Sequence, residues 1–242
     1  MLRIDKYLAD CGLGTRSEVK KYIKSKQITV NGEVVAKPEL KIDENADEVC
    51  FKGQPITYEK YVYYLFHKPA GCVTAKQDNV HKTVMEYFSE DILAKDIAPV
   101  GRLDLDTEGL LLFTNDGPLT HHLLSPTHHI PKTYYAVLDK EVPASAVELF
   151  KEGVDIGDDK PTLPAELVIL PIETDEDGNV FYSAELTIHE GRFHQVKRMF
   201  EAVGCTVTYL KRLSMGTLTL GDLSKGEYRK LTEEEVQMLQ NK

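Results

Sequence analysis

The chain has 242 residues and carries 29 Lys and Arg against 39 Asp and Glu, a formal charge of -10. Its hydrophobic content, 42%, is ordinary for a globular protein, and no apolar run approaches the ~18 residues of a membrane span, so a soluble protein with no membrane partner is expected. Averaged over the chain, the acid excess opposes a polyanionic partner, because phosphate neutralisation by Lys and Arg dominates such binding; only a local basic face escapes that exclusion.

Such a face stands at the start. Within residues 1–31, Arg3, Lys6, Arg16, Lys20, Lys21, Lys24 and Lys26 outnumber Asp5, Asp10 and Glu18, while acid gathers at 43–48, 155–159, 173–177 and 233–235. Ile4, Tyr7, Leu8 and Cys11 recur at i, i+3, i+4 and i+7, one stripe of an amphipathic helix that Gly12 and Gly14 end. Asp5 and Asp10 also interrupt any secretory hydrophobic segment, which predicts a cytoplasmic protein. Thr15 followed by Glu18 is a capping box for a second helix, with Val19, Tyr22 and Ile23 on its apolar side. Arg16, Lys20 and Lys24, four apart, share an adjoining outward face. Asn31-Gly32 between short apolar runs predicts a hairpin over 28–35 closed by a type I′ turn. Polar residues around Pro55, at 54–60, read as a linker and divide the chain into domains 1–58 and 59–242.

Beyond the linker, strand runs at 61–67, 109–114, 132–138, 165–172, 181–188 and 206–212 alternate with turns and helices. They predict an α+β domain on a large mixed, mainly antiparallel sheet. Wound as a helix, residues 191–204 place Phe193, Val196, Phe200 and Val203 on one side, and His194, Lys197, Arg198 and Glu201 on the other. Residues 232–242 read as a terminal helix capped by Thr232. Cys11, Cys50, Cys72 and Cys205 lack paired short spacing and read as small buried hydrophobes in a reducing compartment. Adjacent histidines on a helix point about 100° apart, so His121-His122 and His128-His129 are poor chelates. No phosphate-cradling or dinucleotide-binding pattern occurs, so neither a metal nor a cofactor is expected.

The stretch 101–117, GRLDLDTEGLLLFTNDG, carries most information. It places Asp104 between Arg102 and a turn, just ahead of the buried-strand run Leu110, Leu111, Leu112 and Phe113, at the mouth of a sheet where chemistry is usually held. This segment resembles the catalytic motif of the pseudouridine synthases, in the branch that modifies small-subunit ribosomal RNA. His67-Lys68-Pro69-Ala70-Gly71 resembles that family's first motif, Lys132-Thr133-Tyr134 its second, and EGRFHQVKRM at 190–199 its third. The two short helices and strands of residues 2–58 resemble the S4 RNA-binding module.

The resemblance implies conversion of one uridine to pseudouridine without a cofactor. Asp104 would attack ribose C1′ or uracil C6, or assist a glycal route; Tyr134 would stack on the extruded base, with Tyr135 facing away into the core. Lys197 would pair with Asp104 and favour its charged, nucleophilic form. Arg192 and Arg198 become phosphate or structural contacts, Lys68 steadies the loop or a phosphate, and Arg102 inserts where the base had been. Asp106 and Glu108 are read as turn and hydrogen-bonding groups. Lys132 with Arg3, Arg16, Lys20 and Lys24 completes the RNA-contact set. The implied partner is small-subunit ribosomal RNA or an assembling small subunit, bound by a monomer. Relatives acting on large-subunit RNA often continue into a basic extension and carry Arg where His194 stands, whereas this chain ends in an acidic helix. The competing readings are a large-subunit enzyme, a non-catalytic ribosome-assembly factor, and a glycoside or nucleoside hydrolase using Asp104 and Asp106 as a carboxylate pair.

Overall fold

The computed structural model describes residues 1–240. Packing gathers Met1–Val62 and Phe88–Ile97 into one compact unit, and Tyr63–Tyr87 with the chain from Ala98 onward into another.

The first unit holds β1 (Leu2–Arg3), α1 (Ile4–Asp10), α2 (Arg16–Lys24), β2 (Ile28–Val30), β3 (Glu33–Val34), β4 (Lys41–Ile42), β5 (Val49–Phe51), β6 (Gln54–Pro55) and α3 (Glu90–Leu93). Ile4, Tyr7 and Leu8 of α1 meet Val19 and Ile23 of α2 and the inward residues Ile28, Ile42 and Val49 in one core. The capping box forms in both directions: the Thr15 hydroxyl accepts from Glu18 N, and the Glu18 carboxylate accepts from Thr15 N. Asn31 and Gly32 take φ of 51° and 82°, the left-handed pair that a type I′ turn requires. Asn31 also uses its side chain, donating to Asp47 and accepting from Glu48 N. Gln54–Pro55, read from sequence as the start of a linker, instead pairs with Cys50 and Phe51 as β6. Lys52 and Gly53, at φ of 51° and 78°, close a two-residue hairpin that brings β6 back onto β5, and the proline occupies an edge strand, where its missing N–H is tolerated.

The second unit comprises β7 (Tyr63–Lys68), β8 (Ala98–Pro99), β9 (Glu108–Thr114), α4 (Gly117–Leu124), β10 (Lys132–Leu138), α5 (Ala146–Glu152), β11 (Glu166–Ile169), β12 (Glu173–Thr174), β13 (Val180–Ile188), α6 (Gln195–Ala202), β14 (Val207–Met215), β15 (Leu218–Thr219), β16 (Tyr228–Lys230) and α7 (Glu233–Gln240). One ten-stranded sheet runs β11-β13-β10-β14-β9-β7-β16, with β12, β15 and β8 paired at its sides. Every pairing is antiparallel except β14 with β9, so the expected mixed, mainly antiparallel sheet is present. The continuous apolar run becomes β9, buried along its whole length and flanked by β7 and β14. Burying each of its leucines contributes roughly 1.5–3 kcal/mol. β10 alternates instead, turning Lys132, Tyr134, Ala136 and Leu138 to one face.

Two expectations need correction. Phe193 is exposed, not packed, because α6 begins only at Gln195 and residues 193–194 lie outside its helical register. Tyr135 does face away from Tyr134, but it is only half-buried, edge-on to Tyr209, because that face of the sheet is partly open. The terminal helix spans Glu233–Gln240, with Thr232 Oγ1 accepting from Glu235 N; Asn241 and Lys242 lie outside the described residues.

The parallel pairing of β9 and β14 depends on Gly109, which sits opposite Arg212 at φ +106°. A Cβ there would lie 2.6 Å from Arg212 N and closer still to its carbonyl oxygen, backbone that cannot rotate aside. We expect Gly109→Ala to cost ~3 kcal/mol or more in urea-melt stability; a loss within ~0.5 kcal/mol, the range of neutral surface changes, would show the close approach to be relaxed.

Candidate active site

The loop joining β8 to β9 is held by its backbone. Leu103 exchanges hydrogen bonds with the Thr74 hydroxyl at 2.8 and 3.1 Å, Gly71 N donates to Leu105 O at 2.8 Å, and Thr107 N donates to Asp104 O at 3.2 Å. Beneath it Lys68, fully buried at the end of β7, donates from Nζ to Asp104 O and Thr107 O at 2.9 Å and to Pro69 O at 3.1 Å. Burial pushes this ammonium below the usual lysine range, and neighbouring Cys72, Asp106 and Asp104 act in the other direction. Of the two roles open to Lys68 in the sequence, the structure places it in the loop-steadying one. With its carbonyl turned inward to Lys68, Asp104 leaves its carboxylate on the wall of a cleft of about 670 Å³.

A histidine and a lysine meet it there. His194 Nε2 lies 3.6 Å from Asp104 Oδ1, and Lys197 Nζ lies 3.6 Å from Oδ2. Lys197 is held more tightly by Asp106, at 2.7 and 2.8 Å to its two oxygens. Burial alone would raise the Asp106 carboxyl, but hydrogen bonding and charge attraction from Lys197 outweigh it and keep Asp106 below the usual carboxylate range. The reading of Asp106 as a hydrogen-bonding group thus gains a specific partner, and the Lys197 pairing with Asp104 is shared. The Asp106 carboxylate is occupied by that lysine through both oxygens, which removes the geometric support for a hydrolytic Asp104 and Asp106 pair. Glu108 turns away, accepting from the Tyr209 hydroxyl at 2.6 Å and pairing with Lys225 at 2.8 Å.

Tyr134 and Lys132 line the same cleft, as does exposed Arg102. Lys132 is buried, however, with its Nζ donating to Ile130 O at 2.9 Å. Arg192 and Arg198, candidates for phosphate contact, are turned into structural roles. Arg192 bonds Glu190 at 2.9 Å and the carbonyls of Lys160 and Pro161 at 2.6 and 2.7 Å, and Arg198 bonds Phe193 O, Ile156 O and, at 2.6 Å, Asp158. Their cationic face stitches the 156–161 loop to α6, so little of either guanidinium remains for RNA. In the first unit Arg16, Lys20 and Lys24 are exposed on α2, while Arg3 already bonds Asp5 at 2.9 Å.

Two residues of the cleft escaped the sequence reading. His194 sits in the left-handed region, φ 48°, just before α6, which aims its ring at Asp104 instead of along the helix. Arg212 is 2% exposed and pairs in register with Tyr134 across β10 and β14; its Nε donates to Leu110 O at 2.7 Å. A signal existed for Arg212: it shares strand parity with Leu210, so it is a charge facing the buried side.

A carboxylate with a lysine and a histidine beside it and a tyrosine in the same cleft of a mixed α+β domain is the kind of set that suits an enzyme active site. Residues 62–202 match the RNA pseudouridylate synthase family, and residues 2–47 match the S4 domain. Over 98% of both chains, the protein is 42% identical to a Bacillus subtilis protein described as an uncharacterized RNA pseudouridine synthase. It is 40% identical to the ribosomal small subunit pseudouridine synthase A of Escherichia coli K12, across 97% of this chain and 98% of that one. A crystal structure of a pseudouridylate synthase, 39% identical, superposes with a TM-score of 0.67 over 99% of this chain and 100% of that one. The chain therefore belongs to the RNA pseudouridylate synthase family, with an S4 domain at its N-terminus and the pseudouridine synthase fold after it.

Two outcomes are expected from this geometry. Lys68→Met leaves buried carbonyls without donors at ~1–3 kcal/mol each, so the thermal midpoint should fall and amide exchange across residues 101–107 should accelerate; unchanged exchange there would mean that Lys68 does not hold the loop. Burial, and then the charge of Arg212, push the Lys132 ammonium down to about 8 from 10.5. Its burden on the folded state is full below about 8 and is relieved between about 8 and 10.5, where the unfolded chain binds more protons. Lys132→Met should therefore match or exceed wild-type stability at neutral pH, with that advantage shrinking as pH rises through the window; urea melts across pH showing a destabilised variant at neutrality would contradict it.

Proposed function

We propose that this enzyme isomerises one uridine of small-subunit ribosomal RNA to pseudouridine, with Asp104 as the nucleophile. The observation that carries the reading is the convergence of His194 and Lys197 on the Asp104 carboxylate, each at 3.6 Å, on the wall of a cleft that Tyr134 also lines. Lys197, fixed in turn by Asp106, and the His194 ring orient the carboxylate. Tyr134 stacks on the everted uracil, replacing neighbours lost when the base leaves its helix. Arg102, exposed at the cleft, enters the gap left behind. Likeness over the full length to enzymes named for the small ribosomal subunit supports the substrate.

Residues 1–58 act in this reading as the RNA-binding module, through Arg16, Lys20 and Lys24, and 59–242 as the catalytic domain. Phosphate contacts supply affinity and register, and RNA shape around the everted base supplies choice. In this reading the enzyme works as a monomer in the cytoplasm, on small-subunit ribosomal RNA or an assembling small subunit.

The test uses small-subunit RNA labelled with tritium at uracil C5. Isomerisation releases label to water; hydrolysis leaves an abasic site and free uracil; a pure RNA binder does neither. Wild type should release label, and Asp104→Asn should lose release by roughly 10⁴-fold while still binding RNA. Label release by that variant at the wild-type rate would remove Asp104 from the nucleophile role, and a wild type active only on large-subunit RNA would overturn the substrate.

A further inference from the structure

The cleft holds two buried cations that the roles above leave without an electrostatic purpose. Arg212 has Nε on the Leu110 carbonyl, Nη1 at a loose 3.5 Å from the Tyr134 hydroxyl, and Nη2 buried with no partner. Lys132 has one carbonyl acceptor. Among the described residues neither has a carboxylate within ion-pair distance, although both line the cleft that Asp104 and Tyr134 line. Uncompensated buried charge is costly, and a donor without an acceptor adds to that cost. Such an arrangement becomes favourable when an incoming group supplies negative charge.

The reaction generates that charge. When the C1′–N1 bond breaks, its electron pair passes to the base, and the detached uracil carries a negative charge shared by N1, C5 and both carbonyl oxygens. C1′ is meanwhile held as an ester of Asp104 or, after loss of its neighbouring C2′ proton, as a glycal; once the base has turned, C5 bonds to C1′ as the ester carboxylate departs or as the glycal takes its proton back, the C5 proton leaves to water, and N1 takes up a proton. If Asp104 adds first to C6, the same charge appears on the C4 oxygen. We propose that Arg212, together with Lys132, is the oxyanion site of this enzyme, donating to a carbonyl oxygen of uracil as negative charge develops there. Arg212 is thereby a catalytic residue, placed by strand register instead of by a loop: its pairing with Tyr134 on one side and Gly109 on the other sets its guanidinium beside the ring that stacks on the base. A donor preorganised in a water-poor site acts most strongly on charge that is present only during reaction.

The inference rests on the uridine-isomerising reading. It is tested with the full-length protein on small-subunit RNA and, if wild type is silent there, on large-subunit RNA, so a wrong small-subunit assignment shows as a wild type silent on the first, and a wrong oxyanion assignment as a pattern among variants on the RNA that wild type isomerises. Single-turnover loss of the glycosidic bond is followed by nuclease digestion and chromatography, on RNA carrying uridine or 5-fluorouridine at the target. Arg212→Met should slow cleavage of uridine RNA by ~100-fold with RNA affinity held within roughly threefold, as expected for loss of an oxyanion donor. Fluorine at C5 makes the base a better bearer of negative charge, so on 5-fluorouridine RNA the loss should shrink by about tenfold or more. Arg212→Lys, which keeps a charge, should show the same dependence with a smaller loss, and it is the variant read if the methionine form melts below the assay temperature. Equal losses on the two bases, or a loss that lies in RNA affinity and so marks a phosphate contact, would overturn the proposal.

Discussion

The chemistry of this chain depends on a buried ammonium. Lys68 sits at the last position of β7 with its charge spent on backbone carbonyls from the loop that carries Asp104. Carbonyls are ordinarily satisfied within secondary structure, so a loop that turns several of them inward needs a dense donor. An ammonium supplies three donors from one atom, which a hydroxyl or a main-chain N–H cannot. The loop's backbone faces inward, its side chains are left to the cleft, and Asp104 gains a fixed position without regular secondary structure around it. Charge-assisted hydrogen bonds of this type are roughly twice as strong as neutral ones, which fits a segment that must not breathe during catalysis.

Charge is then distributed against the average of the chain. A net charge of -10 belongs to the outer surface, whereas the cleft gathers Arg102, Lys132, Lys197 and Arg212 around few carboxylates. Asp106 holds Lys197, Glu190 holds Arg192, and Asp158 holds Arg192 and Arg198. Each acid near the cleft restrains a particular cation in place. Among the described residues, what remains both buried and without a carboxylate is the pair Lys132 and Arg212 beside Tyr134, so the field focuses on that side of the cleft.

Much of this architecture was legible in the residues. The capping box, the Asn31-Gly32 turn, the unbroken apolar run of β9 and the alternation of β10 are local rules, and local rules survive folding. The juxtaposition of Asp104, Tyr134 and Lys197 came from motif resemblance; no spacing in the chain announces that positions 104, 134 and 197 share a cleft. Arg212 was missed because its significance arises only when β14 lies beside both β9 and β10, a parallel and an antiparallel neighbour at once. Which loop Arg192 and Arg198 hold was not legible for a related reason: their partners, the carbonyls of residues 156, 160 and 161, are main-chain atoms in a loop whose fold no side-chain pattern encodes.

The error over Phe193 shows how the sheet and the helix are reconciled at the site. A helix running unbroken from 191 would bury Phe193 and carry His194 around its axis, away from Asp104. Instead Glu190 and Gln195 form a knot: Gln195 Oε1 accepts from Arg192 N, and its amide donates to Glu190, which also accepts from Leu163 N. That knot delays the helix, and His194 takes the left-handed conformation at a cost of order 1 kcal/mol or more. Phe193 is left in solvent with its ring stacked on the His194 imidazole at 3.8 Å between centroids. The stack restrains the imidazole on one face, while its edge reaches Asp104. Local strain and an exposed aromatic, each unfavourable alone, together set an imidazole beside the carboxylate. The departure from helical periodicity falls where the cleft needs a side chain that a regular helix could not deliver.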